Sequence, residues 1–258
     1  MAWPGGWTPF LKMDSTDSNN TLSAKDLNKS FGRKKVVKGV SLTLRGGEVV
    51  GILGPNGAGK TTTFYMLAGL DRPESGKVLL NNKDITAFRL YKRARSGISF
   101  LPQQRSLFRD LTVIQNVKAV LELKGLDPNV CLQRAKALLD EFNLLDLSDR
   151  KAATLSGGEA RRLEIARAVA LEPSFVLMDE PFAGIDPITI AMVQHLVKVL
   201  KGKGMGILIS DHNVRDTLKI CNRAYIMNEG QITASGTAKE LVENKLVRKI
   251  YLGDGFHL

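Results

Sequence analysis

One stretch, EVVGILGPNGAGKT at residues 48–61, constrains the chain more than any other. Its first part, EVVGIL, is a short apolar run suited to a strand buried on both faces. Its second part, GPNGAGKT at 54–61, has the spacing G-x-x-x-x-G-K-[ST]. The pattern predicts a helix from about Lys60 to Leu70. A buried strand that runs through a Gly-rich turn into a helix is a phosphate-binding loop. Backbone N–H groups of the turn and the positive end of the helix converge on one anion. Gly57 and Gly59 carry no Cβ where phosphate oxygens have to approach. Lys60 reaches the outer phosphates, and Thr61 offers a hydroxyl to Mg²⁺. Asn56, Gly57, Ala58, Gly59, Lys60, Thr61 and Thr62 are the expected nucleotide contacts.

Such a loop requires a parallel sheet with its ligand at the carboxyl ends of the strands. Two later apolar runs supply further strands there. PSFVLMDEP at 173–181 ends in Asp179 and Glu180, and GMGILISDH at 204–212 ends in His212. Side chains alternate along a strand, so the two adjacent acids take different jobs. Asp179 suits Mg²⁺, and Glu180 suits a water attacking the γ-phosphate. His212 is placed to meet the γ-phosphate and to hold Glu180. His195 and His257 have no such setting and read as structural.

A second turn, LSGGEARR at 155–162, opens another helix. Ser156 and Glu159 have the spacing of a capping box, which alone gives a purely structural reading. A capping box does not demand Gly157 and Gly158, which leave the backbone bare where something lies against it.

Around these motifs the 258 residues contain no tandem repeat. Residues 21–50 alternate β-type segments about a GRKK turn, and GKVLLNNKDI at 76–85 predicts a hairpin turning at Asn81-Asn82. GISFLPQ at 97–103 is a further strand, and YIMNEGQITASG at 225–236 a last hairpin. Apolar stripes between Thr112 and Phe142 predict a helical insertion. The expected fold is α/β: a P-loop core with a mixed sheet, antiparallel hairpins and a helical subdomain at about 105–165. A leader at 1–20, with Trp3, Trp7 and Phe10 and an alternative start at Met13, precedes the body at 21–240. A C-terminal helix and tail at 241–258 close the chain.

Net charge is +11, which suits an acidic neighbour. The basic runs lack interleaved aromatics for stacking on bases, so the bias is toward a membrane surface rather than nucleic acid. Cys131 and Cys221 have no metal spacing and fit a reducing cytoplasm. No apolar run approaches the ~18–20 residues needed to cross a bilayer.

Taken together, GPNGAGKT, Gln103 in FLPQ, LSGGE, FVLMDE, Asp186 in AGID and His212 resemble the ATP-binding-cassette (ABC) ATPases in order and spacing over about 21–240. The resemblance implies ATP and Mg²⁺ as cofactors and a homodimer arranged head to tail. In that arrangement Ser156, Gly157 and Gly158 of one copy contact the γ-phosphate held by the other, while Glu159 caps its helix. It also implies that Phe31, in place of the commoner tyrosine, stacks on adenine. Gln103 would link Mg²⁺ to the helical insertion, and Asp186 would sit at the dimer seam. Within the family, LPQQRSLFRDLTV, DEPFAGIDP, SDHNVRDTL and the ending YLGDGFHL are similar to the ATPases of lipopolysaccharide export. Those drive two transmembrane subunits, LptF and LptG, working with LptC, from the cytoplasmic face of the inner membrane. Gln104 departs from the acid usual after the loop glutamine. Phe108, with Arg109 at its rim, is the expected contact to a membrane subunit, an ordinary core phenylalanine being the alternative. The neighbouring readings are the ATPase of a branched-chain amino acid importer and, from another class, a soluble cassette acting on nucleic acid or ribosomes.

Overall fold

The computed structural model describes residues 20–253 and Phe256. Trp3, Trp7, Phe10, Met13 and His257 lie outside the described residues. The described residues open with β1 (Thr21–Phe31) and β2 (Lys34–Arg45), turning at the expected GRKK segment. Next come β3 (Val49–Leu53), α1 (Lys60–Ala68), β4 (Ser75–Leu80), β5 (Lys83–Asp84), α2 (Leu90–Arg95) and β6 (Ile98–Leu101). The helical stretch supplies α3 (Val113–Leu121), α4 (Pro128–Glu141) and α5 (Gly157–Val169). Then follow β7 (Phe175–Asp179), α6 (Pro187–Gly202), β8 (Gly206–Ser210), α7 (Val214–Leu218), β9 (Arg223–Asn228), β10 (Gln231–Gly236) and α8 (Ala238–Glu243).

Two sheets result. A six-stranded sheet has the order β10-β9-β3-β8-β7-β6, parallel except for β10. A four-stranded antiparallel sheet has the order β2-β1-β4-β5. The expected hairpin turns at Asn81 and Asn82, whose φ of 50° and 63° are the left-handed values a two-residue primed turn needs. Glu229 and Gly230, at 46° and 84°, do the same between β9 and β10.

Strand alternation sorts the core into two layers. Val50, Ile52, Leu177 and Leu208 face α1 and the antiparallel sheet, whose Leu22, Leu27 and Leu44 close over Phe64 and Leu67. Val49, Val176, Met178, Ile207 and Ile209 face the other way, onto α6 and the helices of the insertion. Each fully buried aliphatic side chain contributes roughly 1.5–3 kcal/mol, so this central sheet is the rigid frame for its own carboxyl edge. The N-terminus of α3 is fixed by a capping box between Thr112 and Gln115, worth about 1 kcal/mol. His195 sits exposed on α6 rather than in a packed structural position, because its place in the helix faces solvent.

Candidate functional site

The carboxyl ends of β3, β7 and β8 lie side by side. Asp179 pairs in register with Ser210, and Ile52 also pairs with Ser210. This adjacency brings the P-loop, the two acids and His212 to one edge, as the strand assignments require.

The P-loop is locked from below. Gly54 has φ 153°, and a Cβ there would lie 2.0 Å from the Met227 carbonyl oxygen. Gly59 has φ 101°, and its Cβ would lie 2.7 Å from the Val36 carbonyl oxygen. Gly57, also at positive φ, has nothing within 4 Å. The glycines at 54 and 59 thus answer first to the chain's own backbone, while Gly57 alone opens onto free space with the exposed Asn56. Ala58 is buried and its carbonyl accepts from Gly230 N–H at 3.0 Å. Lys60 is 6 % exposed, and its ammonium donates to the carbonyls of Gly54 (2.8 Å) and Pro55 (3.0 Å). Burial lowers its pKa, and Glu180, Asp179 and Asp211 push it back up. A buried cation satisfied only by backbone carbonyls, with three acids nearby, is suited to receive phosphate oxygens. Thr61 and Thr62, half-buried, stand on the first turn of α1 behind it.

Asp179 is buried, and Ser210 donates its hydroxyl to Oδ1. The Thr61 hydroxyl is close enough to pull the carboxyl's pKa down, yet Oδ2 completes no hydrogen bond. Burial, the largest influence, pushes the Asp179 pKa up. An orphaned buried carboxylate oxygen beside a hydroxyl is the donor set a hard divalent cation takes, so the residues fit Mg²⁺.

Glu180 stands one residue beyond β7 with φ 48°, a strained left-handed backbone for a non-glycine residue. Its N–H donates to the Ser210 carbonyl at 2.8 Å, which fixes that backbone. Gln103 Nε2 donates to its Oε2 at 2.7 Å. His212 Nδ1 is 3.7 Å from the same oxygen, and the imidazole is 59 % exposed. Glu180 Oε2 therefore has two neighbours: Gln103 hydrogen-bonds it, and His212, though exposed, stands within ion-pair reach of it and of Asp211 Oδ1 at 3.5 Å. Asp211 is itself fixed by accepting from Phe182 N–H (3.0 Å) and Asn213 N–H (2.8 Å).

The second turn borders a cleft of its own, and Gly157 also lines a small cavity shared with Gln103 and Glu180. Ser156 and Glu159 form the capping box in both directions: Ser156 N–H donates to Glu159 Oε2 at 2.7 Å, and Glu159 N–H to Ser156 Oγ at 3.3 Å. These bonds hold the Glu159 carboxyl below the usual range. A Cβ on Gly158 would lie 2.5 Å from Thr189 Oγ1, so this glycine is needed within the chain. Gly157 would meet only Arg105 Nη2, at 3.5 Å. The turn forms one wall of an open cleft of about 460 Å³, whose other wall is Gly184, Ile185, Asp186 and Thr189. No P-loop residue lines it. Asp186 is exposed and caps α6, accepting from the N–H groups of Ile188 and Thr189 and from the Thr189 hydroxyl.

The two remaining expectations fall outside both clefts. Phe31 ends β1, 54 % exposed, with Lys29 Nζ 5.4 Å from its ring centre. It stands on the hairpin that contributes Val36 to the P-loop. Phe108 is 49 % exposed with Arg167 4.7 Å over its ring, so it is not a core residue. Its backbone is tied to the buried Asn116 through Phe108 N–H (2.9 Å) and Phe108 O (3.0 Å), and Arg109 beside it is exposed.

Sequence reasoning missed Ser210, Asp211, Asn116 and the buried pair Arg161–Glu164. Arg161 Nη1 meets Glu164 Oε2 at 3.0 Å, while Arg161 also donates to the carbonyls of Pro181 and Glu180. Glu164 accepts from Ser106 N–H at 2.8 Å. The one available signal was the run of acids and serine at the end of β8, beside a strand that also ends in acids.

A P-loop at the carboxyl edge of a mostly parallel sheet, an antiparallel sheet over it and a helical lobe with a second capped turn define an ATP-binding cassette. Residues 37–183 match the ABC transporter family. The LptB lipopolysaccharide export ATP-binding protein of Acidithiobacillus ferridurans is 52% identical over 237 residues, 92% of this chain and 98% of that protein. The protein of the same description from Escherichia coli K12 is 47% identical over 239 residues, 92% and 99% of the two chains. Among solved structures, a nucleotide-free cassette of an ABC transporter superposes with a TM-score of 0.82 at 31% identity, covering 91% of this chain and 100% of the other. A dimeric post-hydrolysis cassette bound to ADP and Pi gives 0.76 at 28% identity, covering 84% and 98%. The chain belongs to the ABC transporter family as an ATP-binding, ATP-hydrolysing subunit.

Proposed function

We propose that this ATPase powers lipopolysaccharide export, working as a head-to-tail homodimer on the cytoplasmic face of the inner membrane. Its partners are two transmembrane subunits of the LptF and LptG kind, with LptC. The observation that carries the dimer is the separation of the two turns: the cleft at Ser156 contains no residue of the P-loop. The near-full-length relatives named for lipopolysaccharide export support the cargo. Among the described residues no helix is long and apolar enough to cross a membrane.

ATP binds with its phosphates on the N–H groups of residues 56–59 and on Lys60, and its base on Phe31. Mg²⁺ held by Thr61, Asp179 and Gln103 neutralises phosphate charge when bound. Asp179 is ready for this, since Oδ2 completes no hydrogen bond and Ser210 fixes Oδ1. Gln103 is not, because it holds Glu180; turning it away frees Glu180 Oε2. Glu180 then takes a proton from a water whose oxygen bonds to the γ-phosphorus in line as the bond to the β–γ bridging oxygen breaks, leaving ADP and inorganic phosphate. His212 swings from solvent toward the γ-phosphate. The twin's Ser156, Gly157 and Gly158 close the far side, and Asp186 lies at the seam.

The loop that carries Gln103 continues into Phe108, which offers its ring and Arg109 to a short helix of the membrane subunit. Purification from the native membrane tests the assignment. Copies of LptF-like and LptG-like subunits should accompany the chain, and proteoliposomes holding them should release lipopolysaccharide only with hydrolysable ATP. Release of an amino acid instead would reject the cargo.

A further inference from the structure

Arg105 has no task in the account above. It lies two residues past Gln103, is exposed, and makes no hydrogen bond, ion pair or ring contact among the described residues. Its guanidinium is nevertheless placed: Nη2 is 3.5 Å from where a Cβ of Gly157 would stand. It lines a small cavity of about 90 Å³ together with Gly157, Glu180 and Glu164.

The charges around it are already engaged. Glu164 is buried against Arg161 and the Ser106 N–H. Glu159 is committed to its capping box, and Asp186 to the N-terminus of α6. Glu180 accepts from Gln103. An unpaired guanidinium thus stands beside the positive end of α5, at the glycine whose backbone is bare toward the cleft. A planar fork of N–H donors at that point is complementary to a phosphate.

We propose that Arg105 contacts the γ-phosphate of the ATP held by the partner's P-loop, adding a side-chain cation to the backbone donors of the Ser156 turn. This rests on the head-to-tail reading above. It makes Arg105 a trans-acting binding residue, not a support for its own Glu180. Because its loop also carries Gln103, one segment then touches both nucleotides of the closed pair. Arg105 senses the twin's ATP and Gln103 the metal on its own.

The full-length chain in the Glu180→Gln background tests this, since that substitution should slow turnover while ATP stays bound. Two readouts separate the roles: affinity for labelled ATP and ADP at dilutions where the chain is a single subunit, and the ATP concentration at half-maximal dimer formation. Arg105→Ala should leave both single-subunit affinities unchanged and raise the dimerisation midpoint about 5–20-fold, the scale of one charge-assisted phosphate contact. Arg105→Lys should fall between. An unchanged midpoint, or a loss of single-subunit ATP affinity that accounts for the shift, overturns the proposal. Ser156→Arg serves as the control. If it dimerises like its parent, the head-to-tail reading fails and the Arg105 proposal with it. If it blocks dimerisation while Arg105→Ala is silent, only the Arg105 proposal fails.

Discussion

The two Gly-rich turns of this chain are built from nearly the same residues and to opposite ends. The P-loop is pressed into the core: Lys60 is buried, and the Cβ positions of Gly54 and Gly59 meet backbone of β9 and β2. The turn at Ser156 stands in the open, held by its own capping box and by Thr189 against Gly158. One is a finished receptor that needs no neighbour for its shape. The other is a shaped edge whose free side, at Gly157, meets only the tip of Arg105 within 4 Å of a built Cβ. A glycine can therefore mean two things: room for the protein's own backbone, or room for a ligand.

Alanine substitutions separate those meanings most strongly. Gly54→Ala and Gly59→Ala combine positive φ with overlap against carbonyl oxygens, and each should cost at least about 3 kcal/mol or prevent folding. Gly157→Ala sits in a helix with only an ordinary contact to Arg105 Nη2 and should change stability by no more than about 1 kcal/mol, in the stabilising direction, while weakening dimer closure. Thermal melts of the three variants check the ranking, and equal losses would erase the distinction between the turns.

Next in size is chemistry confined to one turn. Glu180→Gln should lower turnover by about 10²–10⁴-fold while ATP binding persists and closed dimers accumulate. Steady-state hydrolysis with size-exclusion chromatography reads both. Wild-type turnover would remove Glu180 from the role given to it here.

The acids beside the two turns should also answer oppositely to pH. Burial raises the Asp179 pKa above its ordinary 3.8, so the folded chain holds that proton more tightly than the unfolded one. Its ionisation weakens the nucleotide-free fold as pH rises through 3.8 toward the raised folded value. Asp179→Asn should thus melt no lower than the parent at neutral pH while losing hydrolysis. Glu159 is lowered from 4.5 by the Ser156 bonds, so its stabilisation is present above that value and fades as pH falls through the folded pKa. Glu159→Gln should flatten this acid limb slightly. Melting curves between pH 3 and 7 distinguish the two signs.

The smallest effect on the isolated chain is expected at Phe108, which is half exposed and outside both clefts. Phe108→Ala should leave hydrolysis by the subunit without its membrane partner intact and lose stimulation by that partner. Unchanged coupling in the assembled transporter would return Phe108 to an ordinary surface residue.

Much of this was legible in the chain itself. Apolar runs ending in GPNGAGKT, DE and SDH imply three strand ends that come together, and the S-x-x-E spacing implies the cap at Ser156. What the local pattern could not carry were contacts set by register across long separations. Gly54 is required by Met227, Gly158 by Thr189, and Asp179 is paired by Ser210. At Glu180 the shorter contact goes to Gln103, at 2.7 Å against 3.7 Å for His212, a ranking that the local sequence pattern does not carry. The second turn was ambiguous for a physical reason: a capping box and a phosphate grip use the same serine, and only the bare side of Gly157 separates them.

Linked dimers carrying Lys60→Ala and Ser156→Arg test the trans arrangement most directly, by single-turnover hydrolysis of bound ATP. With the two lesions on opposite halves, one P-loop still faces one intact Ser156 turn, and about half of the ATP sites should turn over. With both lesions on the same half, each composite site is damaged and hydrolysis should vanish. The reverse result, activity only when one half carries both lesions, would mean that each chain closes over its own nucleotide.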